Sequence, residues 1–163
     1  MFFLHSATGG KAHVMTKPLE ILLVEDNEGD VDMVQEALQD EIPTCNVSVA
    51  NNGREALDCL FKQGNFRDVA TPQLILLDLN MPRIDGKILL KIVKQDERLK
   101  SIPVVVLTSS KAPSDIQEAY ELRANCYIVK PFDGKEFRSS IKQAVNFWRN
   151  VAQLPHEATT SLI

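Results

Sequence analysis

Residues 19–26 read Leu19-Glu20-Ile21-Leu22-Leu23-Val24-Glu25-Asp26. A near-continuous apolar run stopped by two carboxylates is the pattern of a strand covered on both faces, as in a parallel sheet. The pattern recurs twice. Residues 74–77, Leu-Ile-Leu-Leu, end in Asp78, and residues 103–107, Pro-Val-Val-Val-Leu, end in Thr108. In a doubly wound sheet, ligands sit outside the carboxyl ends of the strands. Glu25, Asp26, Asp78 and the Thr108 hydroxyl are therefore expected on one edge of one sheet. Carboxylates about 4 Å apart repel by roughly 4 kcal/mol per pair at an effective dielectric near 20. A hard divalent cation relieves that repulsion. The expectation is a Mg2+-binding acidic pocket of the kind that handles phosphoryl groups.

Outward from these strands the chain alternates regularly. Residues 28–39 carry Val31, Val34, Ala37 and Leu38 on one helical face. Residues 46–50 alternate as a short strand, Asn51-Asn52-Gly53 turns the chain, and residues 54–62 read as a helix ended by Gly64. A loop of mixed polarity over 66–72 leads to the strand at 73–78. Helices follow over 87–94, 113–122 (opened by Pro113) and, as one long helix, from Gly134 to about Leu154. Strands fall over 102–108 and 125–129. This alternation predicts an α/β three-layer sandwich, doubly wound, with five helices around a five-stranded parallel sheet.

The 163 residues suit one domain with tails: a leader over 1–17, a body over 18–154 and a polar tail over 155–163. Met15 is a second candidate start, directly before the first strand. A net charge of −4 argues against a nucleic-acid or anionic-membrane partner. No apolar stretch approaches the ~20 residues that span a bilayer, and Met1-Phe2-Phe3-Leu4 is too short for a secretory signal. Cys45, Cys59 and Cys126 are odd in number, widely spaced and set in apolar segments, so they read as reduced residues of a cytoplasmic protein. The histidines stand at 5, 13 and 156, in the expected tails, which leaves the body without histidine catalysis.

Taken singly, the polar residues at the strand ends are ordinary: capping carboxylates, a strand-end threonine, a core tyrosine, a loop lysine. Together they form an ordered set. Glu25-Asp26 follows the first strand, and Asp78-Leu79-Asn80-Met81-Pro82-Arg83-Ile84-Asp85-Gly86 follows the third. Thr108 comes 30 residues after Asp78, and Lys130-Pro131 follows 22 residues after Thr108, with Tyr127 just before it. In this set the chain resembles the response-regulator receiver domains of two-component signalling, in the single-domain, CheY-like form. Its extended last helix and the loop over 63–72 make it similar to the small regulators that partner cyanobacterial phytochromes.

The resemblance implies a strand order of 2-1-3-4-5. It implies that Asp78 accepts a phosphoryl group from a sensor histidine kinase, a phytochrome among the candidates. It implies Mg2+ held by Asp26, Asp78 and the backbone carbonyl of Asn80, with Glu25 acting through water. Lys130 would meet a phosphoryl oxygen, and Thr108 and Tyr127 would form the switch. Such a protein is a switch that assists its own phosphorylation and dephosphorylation, not a separate enzyme. Many of these regulators pair as homodimers through the fourth helix, fifth strand and fifth helix, which here carry Ile116, Tyr120, Phe147 and Trp148. The stretch from Asp26 to Asp78 is longer than in the shortest members, and the excess falls in 63–72, away from the acidic edge.

Two other readings compete. A haloacid-dehalogenase-type phosphatase needs a second aspartate two residues after the first as general acid, and Asn80 stands there. A flavodoxin-like carrier needs a phosphate-binding loop after the first strand, and Glu25-Asp26-Asn27-Glu28 would repel a phosphate. Neither GxGxxG nor GxxxxGK occurs.

Overall fold

In the computed structural model, which describes residues 17–41, 44–82 and 84–155, Leu19–Val24 forms β1 near the centre of the sheet. Around it run α1 (Glu28–Leu38), β2 (Cys45–Ala50), α2 (Gly53–Leu60), β3 (Leu74–Asp78), α3 (Gly86–Gln95), β4 (Val104–Thr108), α4 (Pro113–Glu121), β5 (Cys126–Val129) and α5 (Gly134–Asn146). The sheet is wholly parallel, in the order β2-β1-β3-β4-β5, as the alternation and the resemblance predict.

The period-two geometry of a strand explains why the apolar runs are continuous. Ile21, Leu23, Leu74, Leu76, Val105 and Leu107 point to one face, where Val34, Ala37, Phe137, Ile141 and Val145 of α1 and α5 meet them. Leu22, Val24, Ile75, Leu77, Val104 and Val106 point to the other, against Ala56, Leu89, Leu90, Val93 and Ala119 of α2, α3 and α4. β3 and β4 are buried throughout and β1 from Ile21 to Val24, so an alternating polar residue has no place there, whereas the edge strands β2 and β5 are only partly buried. Burial of each such leucine or valine is worth about 1.5–3 kcal/mol.

Register then brings the strand ends level. Val24 pairs with Leu77, Asp78 with Leu107 and Thr108 with Val129. Glu25, Asp78, Thr108 and Lys130 thus leave the sheet at one edge.

α1, α2, α3 and α5 are capped by the side chain just before them, whereas α4 opens on Pro113 with no side-chain cap. Asn27 accepts from the Asp30 amide and Asn52 from that of Glu55. Asp133 accepts from Lys135 and Glu136. Asp85, which reads in the sequence as a turn residue, caps α3 through the Lys87 amide. Gly86 lies against β3: a Cβ there would sit 2.5 Å from the Asp78 carbonyl oxygen and 2.6 Å from Leu79 Cα. The extra residues at 63–72 include a short 3-10 turn, Gly64–Phe66, and put Phe66 and Val69 against the α2–α3–α4 side of the core. They enter β3 at its amino end, opposite the acidic edge, where the Gln73 amide donates to the Glu20 carbonyl.

The final helix departs from expectation. The α-helix ends at Asn146, and Phe147–Val151 winds as a wider π turn, closed by the Ala152 amide on the Phe147 carbonyl at 2.8 Å. Trp148 continues the Phe137–Ile141–Val145 stripe inward and is half-buried against the α1–α5 side of the core, together with Leu154. Trp148, one of the residues carried by the expected pairing elements, is thus only partly exposed. Phe147 stays exposed and meets the indole edge-on, with centroids 5.2 Å apart. Apart from Lys17 and Pro155, the expected leader and tail lie outside the described residues, as do Arg83 and all three histidines. No helix among the described residues is long and apolar enough to cross a membrane.

Candidate functional site

Asp78 closes β3 and is 5% exposed; Glu25, one residue past β1, is 2% exposed. Burying two carboxylates side by side is costly unless they are paired. Lys130, directly after β5, supplies the countercharge. Its Nζ donates to Glu25 Oε2 at 2.6 Å, to Asp30 Oδ2 at 2.7 Å and, more loosely, to Asp78 Oδ2 at 3.4 Å. The backbone around this point is fixed by the Lys130 amide on the Thr108 carbonyl at 2.7 Å. The far oxygens are also engaged: the Asn27 amide donates to Glu25 Oε1 and the Asn80 amide to Asp78 Oδ1, both at 3.0 Å.

The electrostatics follow from this packing. Burial pushes the Glu25 carboxyl up to about 7, against the opposing pull of the Lys130 hydrogen bond. Burial also pulls on the Lys130 ammonium, downward, but hydrogen bonds to Asp30 and Glu25 and the charge of Asp78 outweigh it and hold it above the usual lysine range. The site thus keeps one fixed cation among clustered acids.

Asp26 is exposed at the rim. Each of Glu25, Asp26 and Asp78 offers a carboxylate oxygen, and these atoms lie within 4.8 Å of one another. An oxygen-only set of two buried acids and one solvent-facing acid suits a hard divalent cation that keeps some of its water.

Thr108 is fully buried. Its Oγ1 accepts from Asn80 Nδ2 at 2.9 Å and from the Ser110 amide at 3.3 Å. Beyond it lies a cavity of about 250 Å3 whose lining includes Asn80, Thr108, Ser110, Asp115, Lys87 and Tyr127. Tyr127 is half-buried, packs against the α2–α3–α4 side of the core, and donates its hydroxyl to the Ser110 carbonyl at 3.0 Å. Ser110 Oγ donates to Asp115 Oδ2 at 2.6 Å. Lys87 Nζ donates to Asp115 at 3.2 Å and to Glu118 at 2.6 Å, which ties α3 to α4.

The structure therefore brings Glu25, Asp26, Asp78, Asn80, Thr108 and Lys130 to one edge, with Tyr127 one step behind. Ile116, Tyr120, Phe147 and Trp148 lie apart from it. Ile116 and Trp148 are half-buried, and Tyr120 and Phe147 are about half exposed, at 48% and 47%. Four polar residues of this region escape the sequence reading: Asp30, Lys87, Ser110 and Asp115. Phe132, wholly exposed beside Lys130-Pro131, escapes it too. The one available signal for Asp30 is its spacing, four residues after Asp26 and one turn along α1.

Comparison with known proteins agrees with this geometry. The family model for the response regulator receiver domain matches residues 21–142. Response regulator Rcp1 of Synechocystis sp. is 39% identical over 138 residues, which are 85% of this chain and 94% of that protein. The solved Mn2+-bound form of Rcp1 superposes with a TM-score of 0.81, at 39% identity, over 85% of this chain and 100% of that one. The phosphorylated cyanobacterial phytochrome response regulator RcpA does so with a TM-score of 0.82, at 40% identity, over 85% and 99%. The phosphatase and flavodoxin readings find no support in these matches. A receiver match over most of the chain, on a 2-1-3-4-5 sheet whose strand ends converge on an acidic edge, means that the chain belongs to the response-regulator receiver family of two-component signalling.

Proposed function

We propose that Asp78 is the phosphoryl acceptor, charged from a phosphohistidine on a partner sensor kinase. The observation that carries this reading is the setting of Asp78: nearly buried at a strand end, one oxygen held by the Asn80 amide and the other 3.4 Å from Lys130 Nζ. In the transfer, a carboxylate oxygen of Asp78 attacks phosphorus. A P–O bond forms, the P–N bond breaks, and the imidazole nitrogen leaves with the electron pair. Lys130 donates to a phosphoryl oxygen and offsets the charge that the acceptor site gains.

Asp26, Asp78 and the Asn80 backbone carbonyl would hold Mg2+, with Glu25 bound through water. The cation, when bound, neutralises carboxylate and phosphoryl charge at the acceptor. Thr108 then turns its hydroxyl toward the phosphoryl group, and Tyr127 follows into the space vacated. That movement is a local charge event read out by a two-state element. The protein is a switch that assists its own phosphorylation and dephosphorylation. Its working place is the cytoplasm, where the buried thiols Cys45 and Cys59 stay reduced.

The phytochrome regulators among its structural relatives favour a phytochrome as the donor kinase. A homodimer through α4, β5 and α5 is supported by the exposed Tyr120, Phe147 and Val151.

Two experiments test the reading. A phosphotransfer screen against histidine kinases, phytochromes included, should find a donor that adds one phosphoryl group by mass. A chain labelled by neither a kinase nor a small phosphodonor contradicts the proposal. Mg2+ should also stabilise the fold, by about 2.7 kcal/mol at 100 times its Kd, and so raise the melting temperature. Asp26→Ala should give little calorimetric heat where the parent responds, and a parent indifferent to Mg2+ contradicts the acidic-pocket reading.

A further inference from the structure

An ammonium has three N–H donors. Those of Lys130 face three carboxylates, and the contacts are unequal: 2.6 Å to Glu25, 2.7 Å to Asp30 and 3.4 Å to Asp78. Glu25 and Asp78 belong to the acidic triad whose ligand atoms converge within 4.8 Å; Asp30 does not. Asp30 comes instead from the first turn of α1, where its own amide is tied to Asn27 Oδ1 at 3.0 Å. Its carboxylate therefore projects from a capped, fixed backbone. Its side chain is 24% exposed and that of Lys130 is 13% exposed, so the pair is largely shielded from water.

We propose that Asp30 is a positioning residue, which holds the Lys130 ammonium beside Asp78 when Glu25 and Asp78 are engaged by the divalent cation. This rests on the reading of Asp78 as acceptor. In that state both triad carboxylates have their charge offset, and Lys130 feels a like charge close by. Of its three partners, Asp30 alone keeps a full countercharge for it. Without that anchor the flexible lysine stem swings to solvent, and the phosphoryl oxygens lose their donor. Misplacement of a catalytic group by about 1 Å can cost 100-fold in rate, so loss of one of three anchors should cost about tenfold. A rival reading leaves Asp30 as a mere favourable charge at a helix N-terminus. That reading predicts a lower melting temperature and an unchanged phosphorylation rate.

The test compares the parent, Asp30→Asn, Asp30→Glu, Lys130→Ala and the Asp30→Asn/Lys130→Ala double variant. The first readout is the maximal phosphorylation rate by acetyl phosphate at saturating Mg2+, well below each melting temperature. Asp30→Asn should lose about tenfold with its Mg2+ dissociation constant within about threefold of the parent, and Asp30→Glu should recover most of the loss. In the Lys130→Ala background the Asp30 change should cost nothing further. The second readout needs no phosphodonor. At saturating Mg2+, acylation of Lys130 by an amine-reactive ester, read by peptide mass, should be several-fold faster in Asp30→Asn than in the parent. A full phosphorylation rate in Asp30→Asn, an equal loss in both lysine backgrounds, or unchanged Lys130 acylation overturns the proposal. A parent that acetyl phosphate never labels at Asp78 overturns the acceptor reading itself, and so is told apart from failure of Asp30 alone.

Discussion

Lys87 on α3 and Asp115 on α4 are joined at 3.2 Å, and the same aspartate accepts the Ser110 hydroxyl at 2.6 Å. Ser110 in turn receives the Tyr127 hydroxyl on its carbonyl. The start of α4 is thus tied both to α3 and to the loop after β4, beside the acidic edge.

Lys87→Ala should loosen α4 more than it lowers global stability. The lysine is partly exposed, and exposed ion pairs contribute little to folding. Amide exchange over Pro113–Glu121 should speed up while the melting temperature barely moves. The pair also sets a pH window. The Ser110 hydrogen bond, aided by Lys87, holds the Asp115 carboxyl below the usual aspartate range, so its contribution is present at neutral pH and is lost as pH falls through that depressed value. Glu118 and Asp115 hold Lys87 above the usual lysine range, so its contribution is present below the ordinary lysine value and is lost as pH rises through the raised one. Protection of α4 that is uniform from acid to strong alkali contradicts the latch.

Gly86→Ala tests how the proposed acceptor, Asp78, is held. The new Cβ would meet the Asp78 carbonyl oxygen at 2.5 Å and Leu79 Cα at 2.6 Å, backbone atoms with no rotamer to yield. The expected cost is about 1–3 kcal/mol in denaturant unfolding, with a slower phosphorylation rate in the protein that still folds. A variant with parental stability and rate contradicts this close approach.

Phe147→Ala is the clean test of self-association. Trp148 is half-buried against the core, so its removal would confuse packing with assembly, whereas Phe147 is exposed. Sedimentation should show a parent dimer that weakens in Phe147→Ala while the monomer stays folded. A parent that stays monomeric at high concentration, with and without beryllofluoride, contradicts the dimer and leaves the acceptor chemistry untouched.

The fold is legible in the sequence because three strands are buried on both faces and stop at polar residues. Leu74–Asp78 and Val104–Thr108 are buried throughout, which leaves no alternation to confuse them with amphipathic segments. The end of α5 is not legible. The apolar stripe through Phe137, Ile141 and Val145 continues to Trp148 at helical spacing, and a π turn leaves no mark in that periodicity. The site divides in the same way. Glu25, Asp78, Thr108 and Lys130 lie at strand ends, so a correct sheet order brings them together. Asp30, Lys87 and Asp115 sit on helices, and their partners lie 100 or 28 residues away. Those pairings depend on how helices pack, and an acid in the first turn of a helix is otherwise explained by the helix dipole.

Asp78 is the proposed phosphoryl acceptor. That role is tested most directly by labelling parent and Asp78→Asn with acetyl phosphate in Mg2+ and reading intact and peptide mass. The amide is nearly isosteric, a poor nucleophile, and removes one charge from a repelling cluster, so the variant should fold with equal or greater stability in the absence of Mg2+. The parent should carry one acid-labile phosphoryl group on the peptide containing Asp78, and the variant none. Persistent labelling of a folded Asp78→Asn protein at another residue would contradict that role.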